Sequence, residues 1–165
     1  MIPTFSLVGR SNSGKTTLIE KLVHHFKERG YRVAVIKHTH HDFSFDKKGK
    51  DSYRHREAGA DAVIITNDHK IGMTADLPEA LTPLEAGTAF LPSHINLVII
   101  EGFKDLDIPK LEIIGDSEEP PLFLSGLNGV RALISDQEIK SKLPLYKRND
   151  VAGISEFIEK EFLTC

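Results

Sequence analysis

The chain has 165 residues, 40% of them hydrophobic and 27% charged, with a formal net charge of −3. That length suits one domain over residues 1–165, with enough apolar side chains to bury a core without staples. A slightly acidic chain gives no electrostatic reason to expect nucleic acid or an anionic membrane as partner, and a single cysteine, Cys165, excludes an intrachain disulfide. No apolar run approaches the roughly 20 residues that cross a bilayer, and Met1-Ile2-Pro3-Thr4-Phe5 lacks a basic leader. The expectation is a cytoplasmic protein with no membrane anchor.

Residues 5–8 form an apolar, strand-like run, and Gly9-Arg10-Ser11-Asn12-Ser13-Gly14-Lys15-Thr16 follows it directly, fitting the pattern GxxxxGK[ST]. Glycines at those positions let the loop turn its N–H groups inward around phosphates, and the helix that follows adds its positive end. Gly9, Ser11, Asn12, Ser13, Gly14, Lys15, Thr16 and Thr17 are therefore the candidate nucleotide-binding residues. Lys15 would reach the β- and γ-phosphates, and the Thr16 hydroxyl would ligate Mg²⁺. This much implies a bound nucleoside triphosphate of unspecified base.

Leu18, Ile19, Leu22, Val23 and Phe26 then recur at helical spacing, and Gly30 ends that helix. Residues 33–36 read as a buried parallel strand, so strand, loop, helix and strand make the opening of an α/β sheet. The polar stretch 37–50 is long enough to be functional. His38, His40 and His41 suggest a transition-metal site, but no cysteine or spaced histidine pair completes a ligand set. A better reading gives the loop, with Asp42 or Asp46, contacts to Mg²⁺, the γ-phosphate or an attacking water. A polar surface loop is the alternative. The basic run 47–56 is a solvated face or a second anion pocket, with Lys50 and Arg54 its leading residues.

Asp51 or Ser52 is expected to cap a short helix closing at Gly59. Residues 62–65 and 71–74, joined through Asn67-Asp68, read as a hairpin that would make the sheet mixed, and 78–87 reads as a helix. Residues 95–100 are the second strongly apolar strand, ending at Glu101-Gly102. Ligands bind at the carboxyl ends of parallel strands, so Glu101 should meet the phosphate loop and contact Mg²⁺ through water; a solvated strand end is the alternative. With Lys15, Glu101 and Asp46 the candidate catalytic residues are complete; Thr16 and Glu101 are the candidate metal residues. Beyond them, 111–114 and 130–134 read as strands, and Asp150 as the cap of a final helix carrying Ile154, Phe157 and Ile158. The fold expected is α/β, a three-layer P-loop NTPase with a mostly parallel, mixed sheet flanked by helices.

Base preference stays open at this level. No Asn-Lys-x-Asp segment is present; Ser135-Asp136 and Asn149-Asp150 both stand where a guanine reader could, and each is equally a turn or helix cap.

Residues 9–16, Lys37-His38-Thr39-His40-His41-Asp42, Asp46, Gly49-Lys50-Asp51-Ser52, Ala58-Gly59-Ala60 and Glu101-Gly102-Phe103-Lys104 together resemble the molybdopterin-guanine dinucleotide biosynthesis protein B family, MobB, nearly end to end. The resemblance implies GTP binding with Mg²⁺, weak GTP hydrolysis, a homodimer, and association with the guanylyltransferase that attaches GMP to molybdopterin, with molybdopterin itself a further candidate ligand. By position it carries Gly9, Ser11, Ser13, Gly14, Lys15, Thr16 and Thr17 onto the family's phosphate loop and Glu101 onto its acidic residue. Slow hydrolysis also has a rationale in the residues. No glutamine stands beside Glu101 to orient water, and Arg10 is the one arginine placed to act as a charge-stabilising finger. Two other functions compete: an adapter for which hydrolysis is incidental, and a small-molecule kinase. The kinase is disfavoured because an arginine-bearing lid is missing from 103–130.

Overall fold

The computed structural model describes residues 2–39, 41–44, 46–117 and 119–163. They fall into two compact units, residues 1–38 with 83–165 and residues 39–82.

In the first unit, β1 (Thr4–Val8) leads through the glycine loop into α1 (Lys15–Glu28), and β2 (Val33–Lys37) follows. After the second unit come α3 (Pro83–Phe90), β5 (Leu97–Glu101), β6 (Lys110–Ile113), a 3₁₀ turn (Leu122–Ser125), β7 (Val130–Ile134), β8 (Leu145–Tyr146), α4 (Val151–Ile158) and a π-helical end (Glu159–Leu163). The strands form one sheet in the order β2-β5-β1-β6-β7-β8, and every pairing in it is parallel.

Alternation along the strands sorts the side chains onto two faces. Phe5, Leu7, Leu97, Ile99, Leu111 and Ile113 face α1 and α4, whose Leu18, Leu22, Phe26, Ile154 and Ile158 complete the main core. Ala34, Val98 and Ile100 face the other way and pack with Ile36, Leu84 of α3 and Phe103. Helices thus lie on both faces of a parallel sheet, the three-layer α/β fold expected from the sequence. Asp150 caps α4 as read, its carboxylate accepting from the Gly153 amide at 3.0 Å.

The expected helix over 78–87 forms later, because Pro83 has no N–H to offer a continuing helix but suits its first position. The short strand β8 was not anticipated. Its two residues, Leu145 and Tyr146, carry too little alternation to be read from sequence. Among the described residues no helix is long and apolar enough to cross a membrane.

The second unit contains α2 (Asp51–Glu57) and the antiparallel hairpin β3 (Ala62–Thr66) and β4 (Ile71–Ala75). The hairpin forms as expected and its turn is closed by Asn67, whose side chain accepts from the amides of His69 (2.9 Å) and Lys70 (2.8 Å). It does not, however, join the main sheet; it is a sheet of its own, so the antiparallel pairing expected there lies in the second unit. The cap of α2 is also corrected. Lys50, in extended conformation, occupies that position, since the Lys47–Lys50 turn starts the helix one residue early and the Ser52 hydroxyl is bound to Asp46 instead.

Candidate nucleotide site

The carboxyl ends of β2, β5 and β1 are neighbours: β2 ends in Lys37, β5 in Glu101, and β1 runs into the glycine loop. Leu7 of β1 lies in register with Glu101 of β5, and Lys37 of β2 with the same glutamate. Residues far apart in sequence therefore meet because a parallel sheet brings its strand ends to one edge.

Gly9 leaves β1 with φ +156°, and a Cβ there would stand 2.4 Å from the Ile113 carbonyl oxygen. No side chain fits. Gly14, in the left-handed region at φ +97°, is the N-cap of α1 and offers no side-chain hydrogen bond to the first-turn amides. Those amides and the helix dipole are left facing the loop, an arrangement suited to an anion. Ser13 is buried, and its hydroxyl lacks a hydrogen-bond partner among the described residues.

Lys15 folds over the loop, donating to the carbonyl oxygens of Gly9 at 3.1 Å and Arg10 at 2.6 Å. Burial lowers its pKa below the ordinary 10.5; Glu101 opposes that shift, while Lys104 and Lys37 add to it. Glu101, Lys104 and Lys37 thus lie within electrostatic reach of Lys15, a balance of three ammonium groups to one carboxylate that suits an anion. The Thr16 hydroxyl donates to Glu101 Oε1 at 3.1 Å, and Lys37 Nζ lies 3.5 Å from the same oxygen. A hydroxyl and a carboxylate side by side are hard oxygen donors, the set with which Mg²⁺ is held when phosphates and water complete its shell. Among the described residues no three His, Cys, Asp or Glu side chains gather as a metal site by themselves, so phosphates would be needed to complete that shell. The residues fit the ion that the sequence implied.

The segment after Glu101 is held firmly. Gly102 donates its amide to Leu7 O at 2.9 Å and accepts from the buried Ser6 hydroxyl. Phe103 takes φ +56° and meets the His38 ring edge-on at 4.7 Å. Arg10, the candidate finger, is engaged elsewhere: it donates to Pro120 O at 3.0 Å and pairs with Glu119.

Ser11 and Asn12 of the loop and Thr17 of α1 are exposed, Asn12 at φ +60°. The predicted residues after His38 and before α3 belong to the second unit or lie outside the description. Asp46 accepts from Ser52 at 2.8 Å, His41 donates its amide to Thr39, and Asp42 is exposed. Lys50 serves α2 through its backbone, and Arg54 lies 3.9 Å from Asp51. His40 and Cys165 are outside the described residues.

Two roles escaped the sequence reading. By sequence Lys37 belongs to a polar loop; its pairing with Glu101 follows from strand order. By sequence Glu112 is one residue of the strand 111–114, with no role of its own. It is 1% exposed, and its carboxylate accepts from the amides of Leu122 at 2.5 Å and Phe123 at 2.9 Å. A charged residue inside 111–114 was the available signal, but alternation alone would have placed it in solvent.

Known proteins resemble this chain throughout. The family model for molybdopterin guanine dinucleotide synthesis protein B matches residues 4–136. The molybdopterin-guanine dinucleotide biosynthesis adapter protein of Haemophilus influenzae is 36% identical over 158 residues, covering 96% of this chain and 88% of that protein. The Escherichia coli protein of the same name is 35% identical over 161 residues, covering 96% and 92%. The crystal structure of Bacillus subtilis MobB superposes with a TM-score of 0.76 at 28% identity, covering 98% of each chain. With the family model spanning most of the chain and the fold shared from end to end, this chain belongs to the molybdopterin guanine dinucleotide synthesis protein B family.

Proposed function

We propose that this protein is a cytoplasmic, GTP-binding adapter in molybdopterin guanine dinucleotide biosynthesis, holding Mg²⁺·GTP at the edge formed by β2, β5 and β1 and hydrolysing it slowly. The observation that carries the nucleotide reading is the hydrogen bond between Thr16 and Glu101, which joins the phosphate loop to the acidic strand end at 3.1 Å. The names borne by the Haemophilus influenzae and Escherichia coli relatives support the adapter role and a partner enzyme in that pathway. That partner is the guanylyltransferase, to which the protein would present GTP or pterin.

In this reading the α1 amides and Lys15 bind the phosphates, and Thr16 and Glu101 hold the ion, Glu101 through water. Lys37 neutralises Glu101 until the ion takes its place. Mg²⁺ supplies charge neutralisation of the β- and γ-phosphates. Slow hydrolysis is consistent with the tied position of Arg10 and with the lack of a glutamine beside Glu101. The same two features favour a second reading, in which bound GTP makes the protein competent for its partner and hydrolysis is incidental. A homodimer is supported by the hairpin, where Ile64 (56% exposed), Ile65 (55%) and Ile71 (70%) leave apolar surface uncovered on a two-stranded sheet that is marginal alone.

Calorimetric titration with GTP and ATP, with and without Mg²⁺, tests the site. Lys15→Ala should weaken GTP binding by about 3 kcal/mol, roughly a hundredfold, through loss of charge-assisted hydrogen bonds. Unchanged affinity would remove the assignment. Capture of the guanylyltransferase with GTP, GDP and a non-hydrolysable analogue separates the two readings: equal capture by GTP and the analogue favours incidental hydrolysis.

A further inference from the structure

The sequence leaves two candidate segments for reading the base, and the structure separates them. Glu101 lies on the β5 side of β1, whereas β6, β7 and β8 lie on the other side. A triphosphate with its terminal phosphates at Lys15 and Thr16, next to Glu101, must send its α-phosphate and nucleoside toward that second side. A cleft of about 260 Å³ opens there, bounded by Gly14, Thr17 and Lys21 of the loop and α1 and by Asp136, Arg148 and Asn149 from the loops after β7 and β8.

Of the polar side chains lining it, Asp136 alone is a carboxylate, and it is held in place. Asn149 has its amide oxygen committed to Lys21 Nζ at 2.8 Å. Its neighbour Asp150 caps α4 through Gly153. Ser135 is fully buried, and its hydroxyl accepts from the Gln137 amide at 3.1 Å. Asp136 differs from these. Its Oδ1 accepts from the Arg148 amide at 3.2 Å and Oδ2 lies 3.5 Å from Arg148 Nε, yet its side chain is 56% exposed. Arg148 is in turn fixed by donating to Ile114 O at 2.9 Å. A carboxylate has about four acceptor positions, so both oxygens keep capacity toward the cleft.

An acceptor-only pair selects a base edge that presents two adjacent donors. Guanine offers N1–H and the 2-amino group; adenine presents an unprotonated N1 at the same place, which a carboxylate repels. We propose that this cleft is the base subsite and that Asp136 is the specificity-determining residue, accepting from guanine N1–H and N2–H. The inference rests on the phosphate-loop reading above and adds the base to it.

Purified full-length protein with Mg²⁺ is titrated with GTP, ITP, XTP and ATP, and the series is repeated with Asp136→Asn. Inosine lacks the 2-amino donor, so ITP should bind wild type roughly tenfold or more weakly than GTP, and ATP more weakly again. The amide introduced by Asp136→Asn keeps an acceptor for the Arg148 amide but adds a donor, which suits the 2-carbonyl of xanthine. The variant should therefore prefer XTP, with the GTP-to-XTP ratio shifted about a hundredfold. Equal weakening of GTP and XTP in the variant would make Asp136 a structural tie and overturn the proposal. Equal affinity of wild type for GTP, ITP and ATP would overturn it without the variant, should the variant not fold. Triphosphate binding that is lost in Lys15→Ala but blind to the base removes only the base assignment; no triphosphate binding at all removes the site reading with it.

Discussion

Glu101 and Glu112 stand on the two strands that flank β1, in register with Leu7 and Val8 respectively, yet they have opposite surroundings. Glu101 sits at the strand end with its side chain 13% exposed, and its partners are a hydroxyl and an ammonium, both movable. Glu112 is inside its strand and sealed, and its partners are two backbone amides at the start of the 3₁₀ turn. Burial raises the Glu112 pKa above the ordinary 4.5; its amide partners, then Arg10 and Lys104, oppose that shift. Two carboxylates a strand apart are thus fitted for different work. One whose partners are side chains at an open edge can exchange them for a metal ion, whereas one bound by backbone amides must keep them or leave them unsatisfied.

Glu112→Ala puts the sealed carboxylate to the hardest test. It strips the acceptor from two amides and should cost about 2–5 kcal/mol of stability, read as a large fall in the denaturant midpoint. A fall no larger than that of a surface mutation would mean water already serves those amides. Glu101→Gln tests the open carboxylate, lowering Mg²⁺-dependent GTP hydrolysis by roughly ten- to a hundredfold while sparing GTP binding more, as expected for a group that orients metal-bound water. Equal losses in binding and hydrolysis would assign Glu101 to structure.

A smaller effect distinguishes the two carboxylates through pH. Because Glu112 has a raised folded pKa, the native protein binds more protons than the unfolded chain between pH 4.5 and that raised value. Its contribution to stability therefore falls as pH rises through this window and levels off below 4.5. Glu112→Gln removes the ionisation, so the stability of wild type relative to this variant should grow as pH drops from neutral. Chemical denaturation across that range measures it. A difference that shrinks instead would show that the amide hydrogen bonds outweigh burial.

Much of this molecule was legible in its residues. The glycine loop's backbone, α1, β2, β5 and β7 follow from periodicity and turn chemistry, and Asp150 was readable as a cap because its side chain acts three residues away. The meeting of Glu101 with Thr16 was legible because parallel strands bring their carboxyl ends to one edge, where the loop after β1 also lies. The late start of α3 could have been read from Pro83. The separate sheet of the hairpin could not, since nothing in residues 62–75 says which edge, if any, their strands join.

Local elements, the phosphate-loop motif and the family were all readable from the chain, because each depends on residues close together in it or on a pattern spread along it. Tertiary structure alone decided that Lys37 meets Glu101, that Glu112 is sealed against the 3₁₀ turn, and that Asp136 lies exposed on the cleft while Asn149 and Asp150 are bound to Lys21 and Gly153. The physical reason is strand order. A parallel sheet arranged β2-β5-β1-β6-β7-β8 makes neighbours of residues as distant as Ser6 and Ile100, 94 positions apart, and short-range patterns carry no record of that order.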